Sequence, residues 1–258
     1  CGLPLRWIAH DYFPFWPTLH RDFGAAAARF DDAERAADLG RAHAGPFAED
    51  DSLWWAAIAT QTVALLEHAS AEVIAPSQST LDNLRRLAPG LAQRSQRCIG
   101  HGTAPWPSTD TAADMLPPAT GKLRLAVLGR INGAKGLDLL RRLLPRLTDH
   151  CDLYLIGAGK VAESLFGVSG VHILLDYAHA DLPAIMARVR AHAALLPATV
   201  SETFSYTLSE LWRLGIPPIA TRLGALAERI DDGRTGILVD PDPASLLEIG
   251  RASCRERV

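Results

Sequence analysis

The chain has 258 residues, 48% of them hydrophobic, and a formal net charge of -3. This length and composition predict a protein with a substantial core and two domains, and the bulk charge gives no electrostatic reason to expect a nucleic-acid partner. The four cysteines lie far apart without a CxxC pair, which argues against a disulfide framework or a zinc site and favours a reducing, cytoplasmic compartment.

The N-terminal part alternates between strand-like and helix-like segments. A strand is predicted over residues 5–9, ending at His10, and an aromatic, proline-rich loop follows it. The pattern then predicts a helix over 52–69, a strand over 71–77 and a helix over 79–88. Strand, turn and helix in this order are the units of a parallel α/β sheet.

A change of composition separates two predicted domains. Residues 104–121 are rich in Pro, Thr, Ala and Asp, which is typical of a linker. We therefore place an N-terminal domain at 1–114 and a C-terminal domain at 115–250. The chain starts without a methionine directly before a strand, so we expect the first domain to be incomplete. Residues 251–258 neither extend the second domain nor cap a helix, so one interpretation of this segment is a non-native tail.

The second domain shows the clearer alternation. This pattern predicts a Rossmann-like domain with an open parallel sheet. In such sheets ligands bind at the carboxyl ends of the strands, so residues that directly follow strands are the candidates for a site. Strands are predicted at 122–129, 152–157, 171–175, 193–198, 217–221 and 236–240, and helices at 137–147, 181–192 and 204–214.

One predicted helix start carries two carboxylates. Glu202 and Glu210 flank seven uncharged residues, and the helix is predicted to begin near Phe204 at the carboxyl end of a strand. The backbone N–H groups of Phe204, Ser205 and Tyr206, with the helix dipole behind them, could hold a phosphate or pyrophosphate. Helical rise would separate the two glutamates by about 10 Å, so one carboxylate could bind a sugar and the other a ribose. The same spacing also arises by chance, with Glu210 as a solvated helix residue.

Two cations follow the first strand of this domain. The segment GRINGAKG, residues 129–136, places Arg130 at the strand end and Lys135 in the loop before the next helix. Both could reach one diphosphate and neutralise it as a leaving group, which needs no metal ion. The alternative is a pair of solvated surface cations.

Taken together, these residues resemble glycosyltransferase family 4, the retaining nucleotide-sugar transferases of GT-B fold. The resemblance implies an α/β fold with two Rossmann-like domains facing a cleft. It also implies transfer of a sugar from a nucleotide-diphosphate sugar to a hydroxyl acceptor. It runs over most of residues 71–243, through VIAPS, GRINGAKG, LYLIGAG, ALLPATVSETF, the pair of glutamates and LGIPPIATRLGALAERIDDGRTGILVDP.

The resemblance also implies roles for single residues. Arg130 and Lys135 look like the donor-phosphate pair, Glu202 like the glutamate that faces the transferred sugar, and Glu210 like the one that binds the ribose. His10 is similar to the active-site histidine of the acceptor domain, although a structural hydrogen bond at a strand end explains it as well.

The segment HDYFPFWP resembles bacterial surface-polysaccharide members of the family. It implies a glycan or lipid-linked acceptor, and a full-length protein associated peripherally with the inner face of the membrane. Neither a metal nor a cofactor is predicted, because no carboxylate pair or histidine cluster with ligand spacing lies near the proposed phosphates. The other eight histidines, His101 and His179 among them, are mostly interpreted as surface or loop residues.

Three positions depart from the family pattern. Thr203, which we include in the predicted donor site, and Ala225 both stand where the family commonly has glycine. Pro218 lacks an N–H group where a strand is expected. Thr203 and Ala225 keep open the alternative of a non-catalytic module that binds a sugar nucleotide. A second alternative is a GT-B sugar-nucleotide epimerase, although the ordered set of family segments argues against it.

Overall fold

The computed structural model of the protein describes six stretches of the chain. These are residues 5–18, 21–40, 52–68, 71–103, 117–118 and 120–248. The chain divides into an N-terminal unit, Cys1–His101 with Val200–Phe204, and a C-terminal unit, Gly102–Thr199 with Ser205–Val258. The predicted boundary after residue 114 and the predicted tail at 251–258 lie outside the described residues.

The N-terminal unit is built on a small parallel sheet with the strand order β1-β2-β3. The predicted strands and helices of this part are confirmed to within a few residues. The sequence pattern predicts neither α1, in which charged residues interrupt the apolar pattern, nor β3, which is short and largely exposed. The elements are β1 (Arg6–Ile8), α1 (Asp32–Gly40), α2 (Ser52–His68), β2 (Glu72–Ala75), α3 (Gln78–Leu87) and β3 (Gln96–Cys98).

The aromatic loop after β1 is irregular, as predicted, but it is packed into this unit. Phe15 and Trp16 are buried, and so is Phe23 further along the loop. The guanidinium of Arg86 donates hydrogen bonds to the carbonyl oxygens of Phe23 and Ala25. These bonds give both carbonyl groups a partner outside the sheet, so the stretch around Phe23 has a defined course.

The C-terminal unit is a six-stranded, wholly parallel sheet. Its strand order is β6-β5-β4-β7-β8-β9, so the order changes direction between β4 and β7. This confirms the Rossmann-like prediction. The elements are β4 (Leu123–Leu128), α4 (Leu137–Leu147), β5 (Cys151–Ile156), β6 (Val171–Leu174), α5 (Leu182–Val189), β7 (Ala193–Leu196), α6 (Tyr206–Arg213), β8 (Pro218–Thr221), α7 (Gly224–Arg229) and β9 (Ile237–Val239).

Both faces of this sheet are covered, because successive side chains of a strand point to opposite sides. Leu125 and Val127 of β4 join the apolar cluster under α4, whereas Ala126 and Leu128 join the cluster under α5 and α6. Helix α4 buries six leucines on the first side. Burying one leucine side chain contributes about 1.5–3 kcal/mol, so this face fixes the helix on the sheet.

Pro218, the departure from the family pattern within a strand, lies at the first position of β8. The ladder to β7 is made next to it by the N–H of Ala194, which donates to the carbonyl of Pro217 at 3.0 Å. A proline is tolerated at the first residue of a strand, so Pro218 does not interrupt the sheet. None of the helices in the described part of the chain is long and apolar enough to cross a membrane.

Candidate functional site

In the C-terminal unit, the loops after β4 and β7 meet at the switch point of the sheet. The hydroxyl of Thr199 donates to the carbonyl of Gly133 at 2.9 Å, and its N–H donates to the carbonyl of Ala134 at the same distance. Gly136 has a φ of 82°, and a Cβ on it would lie 1.9 Å from the carbonyl oxygen of Pro197. Only glycine fits there, and this close contact locks the start of α4 against the end of β7.

The two predicted donor-phosphate cations lie in the loop between β4 and α4, and both are exposed. Arg130 packs its aliphatic part beside Gly159, where a Cβ would lie 3.7 Å from the Arg130 Cγ. The backbone N–H of Lys135 donates to the Asn132 side chain at 2.9 Å, which shapes the turn before α4. The loop therefore brings two positive charges to the carboxyl side of the sheet, where this fold binds ligands.

Helix α6 begins at Tyr206, two residues later than predicted. Ser205 precedes it with φ 67° and ψ 87°, a left-handed conformation that interrupts the helix. The start of α6 was therefore predicted two residues too early, and the continuous helical rise behind the predicted separation of about 10 Å does not extend back to Glu202.

The first turn of α6 lies beside the carboxyl end of β4. A Cβ on Gly129, the residue before Arg130, would lie 3.6 Å from the Thr207 hydroxyl oxygen. First-turn N–H groups have no acceptor inside a helix, and the helix dipole favours negative charge at this end. The geometry thus combines a helix N-terminus with the strand end that carries Arg130.

Arg229 holds the start of α6 in place. Its guanidinium donates to the carbonyl of Ser205 at 2.8 Å and to the hydroxyl of Ser209 at 2.7 Å, and it lies 5.3 Å from the ring centroid of Trp212. The sequence analysis missed this residue, because it lies on α7, which was not predicted. No local signal links Arg229 to Ser205, since 24 residues separate them.

Glu210 lies on α6 with its side chain 16% exposed. Its Oε1 is 2.9 Å from the Nε2 of His179, a residue that the sequence analysis did not associate with the site. Burial, the charge of Glu210 and the charge of Asp176 raise the pKa of Tyr177 above its usual value. Glu210 is therefore a half-buried carboxylate with a fixed partner, unlike the solvated helix residue of the alternative interpretation.

In the N-terminal unit, the segment that carries Glu202 lies against the end of β1. The hydroxyl of Thr203 donates to the carbonyl of His10 at 2.9 Å, and the carbonyl of Thr203 accepts from the Thr80 hydroxyl at 3.2 Å. The Ser201 hydroxyl donates to Asp22 at 2.6 Å. These bonds bring together the segments of the two predicted catalytic residues, His10 and Glu202.

The ring of His10 stacks on a second histidine. The His10 and His101 ring centroids are 5.0 Å apart at an interplanar angle of 23°. The His101 and Phe204 ring centroids are 5.1 Å apart in an edge-to-face arrangement. Burial and the charge of His10 lower the pKa of His101 below its ordinary value. The sequence analysis assigned His101 no role, and only the tertiary structure shows the stack.

The predicted site residues are thus distributed over both units. His10, Glu202, Thr203 and Phe204 belong to the N-terminal unit, and Arg130, Lys135, Ser205, Tyr206 and Glu210 belong to the C-terminal unit. Within the described ranges, no group of three or more His, Cys, Asp or Glu side chains could hold a metal ion.

Comparison with known proteins finds similarity in the C-terminal half of the chain. Residues 122–249 match the family model of "Glycosyl transferases group 1". This part of the chain is therefore similar to glycosyltransferase group 1 domains, and it contains the whole six-stranded sheet. The match includes Arg130, Lys135 and both glutamates of the α6 region.

Two curated relatives and one solved structure extend the comparison. Glycogen synthase of Thermus thermophilus is 34% identical over 132 residues, which is 48% of this chain and 30% of that protein. Glycogen synthase of Mycobacterium tuberculosis is 28% identical over 258 residues, which is 95% of this chain and 58% of that protein. The chain therefore spans only part of the length of these relatives.

The solved structure is Anabaena Alr3699/HepE in complex with UDP and glucose. It is 18% identical with a TM-score of 0.64, and the match covers 98% of this chain and 63% of that one. At this identity the likeness shows the fold alone. The fold is that of the GT-B glycosyltransferases, as predicted.

Proposed function

We propose that the protein is a retaining glycosyltransferase of family 4 that transfers a sugar from a nucleotide-diphosphate sugar to a hydroxyl acceptor. One observation carries the proposal: at the switch point of a group 1 domain, the strand end that bears Arg130 lies beside the first turn of α6. A basic strand end and a helix N-terminus are both suited to a diphosphate.

The roles follow from the charge that moves in the reaction. Breaking the glycosidic bond leaves negative charge on the diphosphate, which Arg130, Lys135 and the α6 amides would stabilise without a metal ion or cofactor. Positive charge builds on the sugar ring at the same time. Glu202 and His10 are proposed to act there, and Glu210 to bind the ribose.

UDP is the first nucleotide to test, because the solved relative Alr3699/HepE was crystallised with UDP and glucose. For the acceptor, we propose a glycan or lipid-linked saccharide of a surface polysaccharide or glycolipid. The cytoplasmic location and the association with the inner face of the membrane stay predictions from sequence.

The binding half of the proposal can be tested by calorimetry on the chain itself. Changing either Arg130 or Lys135 to Ala should weaken UDP binding by about 1–3 kcal/mol, the scale of a charge-assisted hydrogen bond, and changing both should weaken it further. Lys122→Ala is the matched control, because Lys122 is an exposed cation at the opposite end of β4, where it bonds to the Thr148 carbonyl. Unchanged affinity in the double variant would contradict the phosphate site.

The catalytic half requires the full-length protein and a panel of nucleotide sugars. Sugar transfer that depends on an added acceptor is the expected result. Donor binding without any turnover would identify a non-catalytic sugar-nucleotide module. Conversion of the donor to its epimer in the absence of acceptor would identify an epimerase.

A further inference from the structure

The carboxylate of Glu210 is engaged on one side by a histidine from another part of the C-terminal unit. His179 opens a short 3-10 turn, His179–Asp181, that leads into α5, and its Nε2 lies 2.9 Å from Oε1 of Glu210. An ionised carboxylate can only accept hydrogen bonds, so Nε2 carries the hydrogen in this pair. The contact joins the loop after β6 to α6.

The loop that presents His179 is itself packed in place. Tyr177 lies so close to Gly157 that a Cβ on this glycine would come within 2.5 Å of the tyrosine ring. The N–H of Tyr177 also donates to Asp176 at 3.0 Å. Tyr177 precedes His179 by two residues and is half-buried against Gly157 at the end of β5. This packing anchors the loop that carries His179. The imidazole therefore approaches Glu210 from a fixed backbone.

We propose that His179 is a positioning residue that binds Oε1 of Glu210, so that Oε2 is presented to the hydroxyl groups of the donor ribose. This inference rests on the proposed function, in which Glu210 is the ribose ligand. A carboxylate has two oxygens with about four acceptor sites in total, so one bond to His179 leaves capacity for the ribose. Fixing the glutamate before binding removes the entropy cost of ordering it afterwards.

The inference predicts an effect that depends on the ribose hydroxyls of the ligand. Ordering one flexible side chain corresponds to a loss of about three- to tenfold in affinity when the positioning contact is removed. His179→Ala should therefore lower the affinity for UDP by this factor. It should leave the affinities for 2′,3′-dideoxy-UDP and for inorganic pyrophosphate unchanged, because neither ligand carries the hydroxyls that Glu210 would bind.

The experiment is calorimetry with these three ligands on the wild-type chain and four variants. His179→Gln can still donate an N–H to a carboxylate and should recover part of the UDP affinity, whereas the shorter His179→Asn should behave like Ala. His172→Ala is the matched control, because His172 is an exposed histidine of β6 that stacks on Tyr154. Circular dichroism checks that each variant is folded, and His179→Asn replaces His179→Ala if the latter is not.

The outcomes separate this inference from the proposed function. If wild-type chain binds UDP but His179→Ala loses nothing, or loses as much for the dideoxy nucleotide as for UDP, the positioning role is overturned while the donor site stands. If wild-type chain binds neither nucleotide nor pyrophosphate, the proposed function is overturned and the inference with it.

Discussion

The contact between Arg229 and the start of α6 gives the sharpest test of the phosphate site that we propose in this unit. Ser205 has a left-handed backbone at φ 67°, and no side-chain hydrogen bond caps the helix there. For a residue other than glycine this conformation costs about 1–2 kcal/mol. The guanidinium of Arg229 bonds to the Ser205 carbonyl, so we expect it to hold the residue in this conformation.

The magnitude follows from the three contacts of the guanidinium. A hydrogen bond to a charged group contributes about 1.5–3 kcal/mol, and a cation–π contact at an exposed site about 0.5–1 kcal/mol. Because the contacts share one half-buried guanidinium, they do not add in full. We expect Arg229→Met to lower the free energy of unfolding by about 2–3 kcal/mol. UDP affinity should fall about tenfold, because the first-turn N–H groups lose their alignment.

Urea denaturation and calorimetry with UDP measure the two effects. Arg222→Met is the control, because Arg222 also makes two guanidinium bonds in this unit, to Asp232 and to the Leu238 carbonyl. It should cost stability without changing UDP affinity. In the Ser205→Gly variant, glycine adopts the positive φ without strain. Arg229→Met should therefore reduce UDP affinity less in this variant than in the wild type. The reasoning fails if Arg229→Met changes UDP affinity no more than Arg222→Met does.

Three further predictions concern the charged groups of the site. In the full-length protein, Glu210→Gln should mainly raise KM and weaken nucleotide binding, whereas Glu202→Gln should lower kcat with nucleotide affinity retained. The reverse pattern in steady-state kinetics would exchange the two assignments. EDTA should leave turnover intact, because cations take the role of a metal in the proposal, and strict dependence on added magnesium or manganese would contradict it. Burial and the charge of His10 lower the pKa of His101 below 6.5, so the unfolded chain binds this proton more readily. That contribution to stability is full above pH 6.5 and is lost as the pH falls from this value through the lower pKa of the folded protein, so urea titrations should show a smaller loss on acidification for His101→Phe than for wild type.

Elements with a strong periodic pattern could be predicted from the sequence, and elements defined by a single backbone angle could not. The bounds of α4 agree with the prediction over residues 137–147, because its buried leucines follow the helical period. The start of α6 was placed two residues too early because Ser205 turns left-handed, and a serine, unlike glycine or asparagine, does not signal such a turn.

The residues that contact the proposed site residues could not be predicted from the sequence, for a different reason. Arg130, Lys135 and Glu210 could be proposed from sequence because they follow strands or lie on a helix next to a strand end. His179 reaches Glu210 across 31 residues of chain. His101, which follows β3, stacks on His10, which follows β1, although the two are far apart in the sequence. Contacts of this kind depend on how loops pack, and loop packing has no period that a sequence pattern could show.

Thr203 and Ala225 stand where the family commonly has glycine. Their surroundings in the structure weaken the argument against catalysis that the sequence alone suggests. Thr203 uses the hydroxyl that a glycine would lack, and it donates this hydroxyl to the carbonyl of His10. The substitution therefore adds a bond between the segments of the two residues proposed to act at the sugar. Ala225 lies in the first turn of α7 and is wholly buried, so its methyl group fills the interior of the C-terminal unit rather than projecting from its surface. At one position the side chain makes a hydrogen bond, and at the other it is packed in the interior. Both departures are thus compatible with an active transferase.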